Sequence, residues 1–206
     1  EGVTGGAQAD SAAEPADESS ALDRPLLPLV AAAGYHTTDV LGGDVKLAIS
    51  NMPTAALLEW VRAGGDLLFI SEGFSPFFYV QGRGGAYGGH WVTCYNWLRP
   101  EAHPRLAPAN PLGMAYAGVT PQGVIVGLPL EDAAIQGDVL AGMVSGWAQH
   151  AAAHTVQFRY GKGRVVMTTF RLREALGRNP TATALLHDLM DHLRSERCQP
   201  TLTASY

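Results

Sequence analysis

The chain has 206 residues, 47% of them hydrophobic and 16% charged, which describes one globular domain with a real core and excludes a wholly disordered chain. Its net charge is −5 and its Arg and Lys are scattered, so it lacks the basic stripe of a nucleic-acid binder. No apolar run reaches the roughly 18 residues of a membrane-spanning helix; the longest, Leu26 to Gly34, is interrupted by Pro28.

The first residue is Glu1, without the basic-then-apolar pattern of a leader, which reads as a mature product or a piece of something longer. Residues 1–20 are mostly Ala, Gly, Ser, Asp and Glu and cannot bury enough surface to offset their ordering entropy, so a disordered acidic linker is expected there. A domain is expected over 21–195 and a tail over 196–206.

From Ala21 the pattern becomes helical: Leu22, Leu26, Leu29, Val30 and Ala33 share a face, and Gly34 ends the helix. Val45 to Ser50 reads as a strand. Asn51-Met52-Pro53-Thr54 starts a helix whose inner face carries Leu57, Leu58 and Val61, and Gly64-Gly65 stops it. Asp66 to Ser71 is a second strand, apolar almost throughout, as parallel strands covered on both faces are. Strand, helix, glycine stop and strand make a βαβ crossover, so the chain is α/β. The usual strand before the first helix is missing, so either the sheet is truncated or another segment fills that position.

Between Glu72 and Pro121 the pattern breaks into an insertion rich in glycine and aromatic residues, among them Tyr87, Trp91, Tyr95 and Trp97. Such an insertion is either functional or an interface. Val124 to Val126 is a short strand, while Asp138 to Gln149 is ambiguous between strand and loop. Thr155 to Tyr160 alternates apolar and polar residues, Gly161-Lys162-Gly163 turns, and Arg164 to Phe170 returns as a hairpin partner. Asn179 is placed to cap a helix with Pro180 at its first position, and Leu185, Leu186, Leu189, Met190 and Leu193 mark its buried face.

Reactive constellations are weak. Cys94 lies between bulky or β-branched neighbours, whereas a nucleophile elbow needs small ones. The elbow position would follow Ser71, where Glu72-Gly73-Phe74 offers no nucleophile. Cys94 and Cys198 are too far apart in sequence to define a disulfide framework or a metal knuckle and read as free thiols, which leaves the compartment unknown. His187 pairs with Asp191, and Asp188 with His192, at helical spacing opposite the leucine stripe, which reads as a solvated face and not as a metal site. Gly82-Arg83-Gly84-Gly85 lacks the context of a phosphate loop. Glu72, Glu101 and Asp132 do not pair as acid and nucleophile. No catalytic residue, metal or cofactor is therefore assigned. Tyr87, Trp91, Tyr95 and Trp97 are the candidate contacts, either as the centre of an interface or as platforms for sugar rings.

Leu58 to Leu68 (LEWVRAGGDLL) is similar to a segment of class I glutamine amidotransferase-like domains. Tyr95 to Pro100, Asn110 to Gly113, Asp138 to Gly142, Gly146-Trp147, Tyr160 to Arg164 and Thr168 to Leu172 resemble one branch of that group. This branch is the accessory domain at the C-terminus of bacterial glycoside hydrolase family 2 proteins of the β-galactosidase type. The resemblance spans about Leu22 to Leu193. It implies a three-layer flavodoxin-like sandwich with a mostly parallel sheet of about five strands and an antiparallel hairpin near the C-terminus. It also implies a non-catalytic accessory or assembly role, in contact with the rest of a glycoside hydrolase chain or within a homo-oligomer, and shaping the substrate entrance. The alternatives are a carbohydrate-binding module using the exposed aromatics, and a cysteine hydrolase or amidotransferase working through Cys94. Neither nucleic acid nor membrane is an expected partner.

Overall fold

The computed structural model describes residues 26–82, 95–106, 114, 117–145 and 150–205. The expected linker over 1–20 lies outside them. The first helix, α1, spans Leu26–Ala32 and buries Leu29 and Val30; Gly34 follows at φ +96°. Strand β1 (Leu47–Ser50) leads to α2 (Ala55–Ala63), where Thr54 Oγ1 accepts from Leu57 N at 3.2 Å. Gly64, at φ +130°, turns the helix end by donating to Trp60 O and Val61 O, a conformation open to glycine and costly for other residues. Strand β2 (Asp66–Ile70) then runs parallel to β1, with Leu47 opposite Asp66.

The next strands are short: β3 (Val80–Gly82), β4 (Tyr95–Leu98) and β5 (Gly123–Ile125). A one-turn helix, α3 (Ala133–Gln136), is capped by Asp132, whose Oδ1 accepts from Ala134 N. The ambiguous stretch after Asp138 is a strand over Val139–Ser145, β6. The hairpin forms as the glycine turn predicts, with β7 (His150–Tyr160) antiparallel to β8 (Gly163–Thr168) and Gly161 at φ +62°. A short α4 (Leu172–Ala175) precedes α5 (Pro180–Arg194), where Asn179 Oδ1 accepts from Thr181 N at 2.9 Å.

Among the described residues the sheet has eight strands rather than about five, and it is mixed rather than mostly parallel. Among the described strands, β1–β2 and β2–β8 pair in parallel and the other strand pairs are antiparallel, while an isolated parallel bridge joins Arg159 to Thr203. The hairpin causes this: it sends β7 back against β8, and each strand beyond it then pairs with β7, β6 or β5 in the antiparallel sense. β7 is longer than β8, so Thr155–Tyr160 pairs with β8 while Ala153, further along the same edge, pairs with Ile125 of β5. The opposite edge of β7 holds β6, and β6 holds β4. β1 pairs directly with β2, so no place for a further strand lies between them.

Helices cover both faces of the parallel part. Leu68 and Ile70 of β2 and Val166 of β8 join Leu185, Leu186 and Leu189 of α5 on one face. Leu67, Phe69, Val165 and Met167 join Leu57, Leu58 and Val61 of α2 on the other. Alternation along a strand sends successive side chains to opposite faces, so a strand clothed on both sides must be apolar at nearly every position.

Candidate functional site

Parallel α/β sheets present their ligand sites beyond the carboxyl ends of the strands. In this chain that end is formed by Asn51 after β1, Glu72 after β2, and Arg171 and Arg173 after β8. Glu72 is already engaged. Arg173 Nε donates to its Oε1 at 2.6 Å and Asn51 Nδ2 to its Oε2 at 2.9 Å, with the Glu72 and Arg173 side chains only 22% and 12% exposed. Gln122 Nε2 reaches the Glu72 carbonyl at 3.4 Å. A carboxylate with both oxygens bound to donors serves as a crosslink between strand ends, and a free general base would need one of them open.

After β2 the backbone bends at Gly73 with no helix following before β3. Gly73 sits at φ +96°, and the preceding hydroxyl, Ser71 Oγ, is buried and donates to Phe74 O at 2.7 Å. His154 lies close by on β7, 1% exposed, with Nε2 3.3 Å from Asn96 Oδ1 and Nδ1 3.4 Å from Gly123 O. The other acidic residues of the insertion stand apart: Asp132 caps α3, and Glu101 is exposed.

Of the four candidate aromatics, Tyr87 and Trp91 lie outside the described residues, as does Cys94. Tyr95 is described only as the first residue of β4, paired with Val144. Trp97 is half-buried on the same strand. Its ring lies over Gly142 of β6, where an added Cβ would meet ring carbon Cζ2 at 2.8 Å. The Arg99 guanidinium stands 6.0 Å from the ring centroid, and its Nε and Nη2 donate to Val139 O (3.2 Å) and Gln136 O (2.9 Å). The structure therefore builds Trp97 and Arg99 into one stacked unit on the β4–β6 ribbon.

The polar residues of α5 are not the solvated face that their spacing predicts. Asp188 is fully buried and His192 nearly so, while Asp191 is exposed and His187 half-buried. The segment after β4 lies across this side of the helix. Arg105 brings both its backbone N–H (3.1 Å) and its guanidinium (2.8 Å) to Asp188, and a second guanidinium nitrogen to Asp191 at 2.7 Å. A buried carboxylate is tolerated because these donors replace its water. A helical wheel carries no signal of a loop arriving from 83 residues earlier in the chain. Tyr35 OH and His187 Nδ1 are 2.5 Å apart, and burial, followed by Asp191, raises the Tyr35 pKa. Among the described residues no three His, Cys, Asp or Glu side chains group as metal ligands.

Cys198 is buried, and burial pushes its thiol up to about 11, so it is not a thiolate at neutral pH. A cavity of about 820 Å³ opens beside β1, between α1 and the 35–46 segment, lined by Tyr35, Asp44, Lys46, Asn51 and Arg194 among others. Exposed Leu27, Val40, Leu41 and Met52 also line it.

No helix among the described residues is long and apolar enough to cross a membrane. Comparison with known proteins places the chain in no established group: no family model matches it, and no curated protein matches it.

Proposed function

We propose that the chain is a non-catalytic accessory domain with the flavodoxin-like plan of glutamine amidotransferase-like proteins. It belongs to a glycoside hydrolase family 2-like enzyme of the β-galactosidase type. There it makes interdomain or oligomer contacts and shapes the substrate entrance. The observation that carries this reading is the end of β2. Where an elbow would hold a nucleophile, Gly73 occupies the positive-φ position, and the adjacent Glu72 is tied to Asn51 and Arg173. Three helices over two faces of a partly parallel sheet, β1–β2–β8, are consistent with the same plan. The Trp97–Arg99 unit supports a contact role over sugar stacking, because one side of the indole is taken by Gly142 and a cation stands near the ring.

Two measurements test the proposal. Incubated with glutamine and with chromogenic β-galactosides, the purified chain is expected to release neither ammonia nor aglycone. In sedimentation across a wide concentration range it is expected to self-associate, and Trp97→Ala is expected to weaken that association. Turnover that disappears in Cys94→Ala would replace this reading with an enzymatic one. A strict monomer whose tryptophan fluorescence responds to galactosides would replace it with a carbohydrate-binding module.

A further inference from the structure

β1 is the outermost strand of the parallel half. β2 pairs with one of its edges, and among the described residues no strand or bridge takes the other. The cavity of about 820 Å³ beside it is lined by every residue from Asp44 to Met52. Successive side chains of a strand point to opposite faces. Here Leu47 and Ile49 pack on the α5 face of the sheet and Ala48 on the α2 face. A hollow over one face would touch every second residue; one that touches the whole run extends along the backbone edge. Local turns close both ends of that edge, with Val45 N donating to Gly42 O and Met52 N to Ser50 Oγ, each at 3.1 Å.

The edge is recessed. All four residues of β1 are half-buried, while Leu27 of α1 and Val40 and Leu41 of the following loop line the same cavity and are exposed. The β1 edge of a second copy, set back behind the same walls, would meet those walls first. A single extended segment fits between them. Along a strand edge the outward N–H and C=O groups recur about every 6.6 Å, a spacing that another extended backbone repeats and a compact ligand does not. The charged lining balances, Asp39 and Asp44 against Lys46 and Arg194, so it favours an uncharged segment over an acidic or a basic one. The chain's own residues 1–25, with six acidic side chains against one basic, do not match that chemistry.

We propose that the outer edge of β1 takes up an extended, uncharged peptide segment of a partner protein as an added strand, with its alternate apolar side chains seated between α1 and the 37–41 loop. Backbone hydrogen bonds to β1 give the segment its register, and Leu27, Val30 and Leu41 select apolar side chains on it. The inference does not depend on the accessory-domain reading, because Trp97 lies on β4, which pairs with β6 beyond β7 at the other end of the sheet.

Titration of the whole, isotope-labelled chain with a capped hexapeptide of alternating valine and threonine tests it by proton–nitrogen spectra. The amides from Leu47 to Ser50 are expected to shift and to exchange more slowly with solvent as peptide is added. The same peptide N-methylated at every residue, which has no backbone donor, is expected to leave them unmoved, and versions with glutamate or lysine in place of threonine are expected to bind more weakly. Leu27→Ser combined with Leu41→Ser, at two exposed positions, is expected to weaken binding roughly tenfold. Unmoved amides with the valine–threonine peptide, equal binding of the N-methylated or charged versions, or full affinity in the double variant would overturn the proposal. So would amides already protected in the chain alone, or shifts that follow protein concentration without peptide, which would assign the edge to a second copy.

Discussion

The two halves of the sheet deal with polar groups in opposite ways. In the parallel half, β2 is apolar from Leu67 to Ile70, and its charges stand at the strand ends: Asp66 pairs with Arg164 at 2.6 Å, and Glu72 with Arg173 at 2.6 Å. In the antiparallel half, Asn96, Asp138, His154, Thr155 and Gln157 are buried within or beside the strands. The cover explains the contrast. Helices bring a closed backbone to the sheet, so α2 and the leucine face of α5 (Leu185, Leu186 and Leu189) ask only for apolar partners. Loops and tails bring open N–H and C=O groups, and buried side chains must satisfy them. Asp138 takes two N–H groups of the C-terminal tail, and Thr169 Oγ1 donates to Gly123 O at 2.8 Å.

The halves meet on β7, so the largest effect is expected there. Phe158 is fully buried, with the Phe77 and Phe78 rings at 5.0 and 4.9 Å between centroids. Phe158→Ala is expected to cost about 3–5 kcal/mol in urea unfolding, because it empties the centre of the core on the α2 face. A cost near 1 kcal/mol would mean that the halves are not coupled through this ring.

The second effect belongs to the antiparallel half alone. Burial and the neighbouring His103, Arg197, Arg164 and Arg99 lower the His192 pKa from 6.5 to about 4, and burial lowers that of His103 as well. Asp188 opposes the shift at His103, and Asp138 stands beyond Gln157 from His192. Between these two pKa values the unfolded chain binds a proton that the folded chain refuses. The stabilisation is therefore complete above pH 6.5 and is lost as pH falls toward 4. Its size is on the order of 3 kcal/mol for His192. Chemical denaturation of the wild type and His192→Gln at pH 7 and pH 5 checks this; an equal pH slope in both proteins would refute it.

Arg164→Lys probes the parallel half through its polar rim. Arg164 grips Asp66 with two nitrogens (2.9 and 2.6 Å) and also donates to Ser195 O and Cys198 O. An ammonium cannot reproduce that fork, so a loss of about 1–2 kcal/mol is expected, with faster amide exchange after Arg194. The smallest effect is expected at the exposed pair of Glu59 and Arg62 on α2, where Glu59→Ala should shift stability by no more than about 0.5 kcal/mol.

The same division decides what could be read in the sequence. In the parallel half the signals are local and consistent: the glycine stop at Gly64, the apolar run of β2, the Gly161-Lys162 turn, and the Asn179-Pro180 helix start. The expected sheet of about five mostly parallel strands fails beyond that half. β3, β4 and β5 are three or four residues long, too short for a period to show, and the expected contacts Tyr87 and Trp91 lie outside the described residues. At the candidate site the order Ser71-Glu72-Gly73 after β2 was legible. The partners of Glu72, one 21 residues before it and the other 101 residues after it, were not.

By itself the sequence determined where most elements start and stop, since caps, turns and side-chain periods act over a few residues. Only the tertiary structure decided which edge of β7 each short strand takes, that Asp188 and His192 are buried, and that Glu72 ends in an ion pair. Those outcomes depend on segments that meet across long loops. No periodic pattern records such a meeting, because its free energy arises from desolvation and pairing that exist only once the chain has closed.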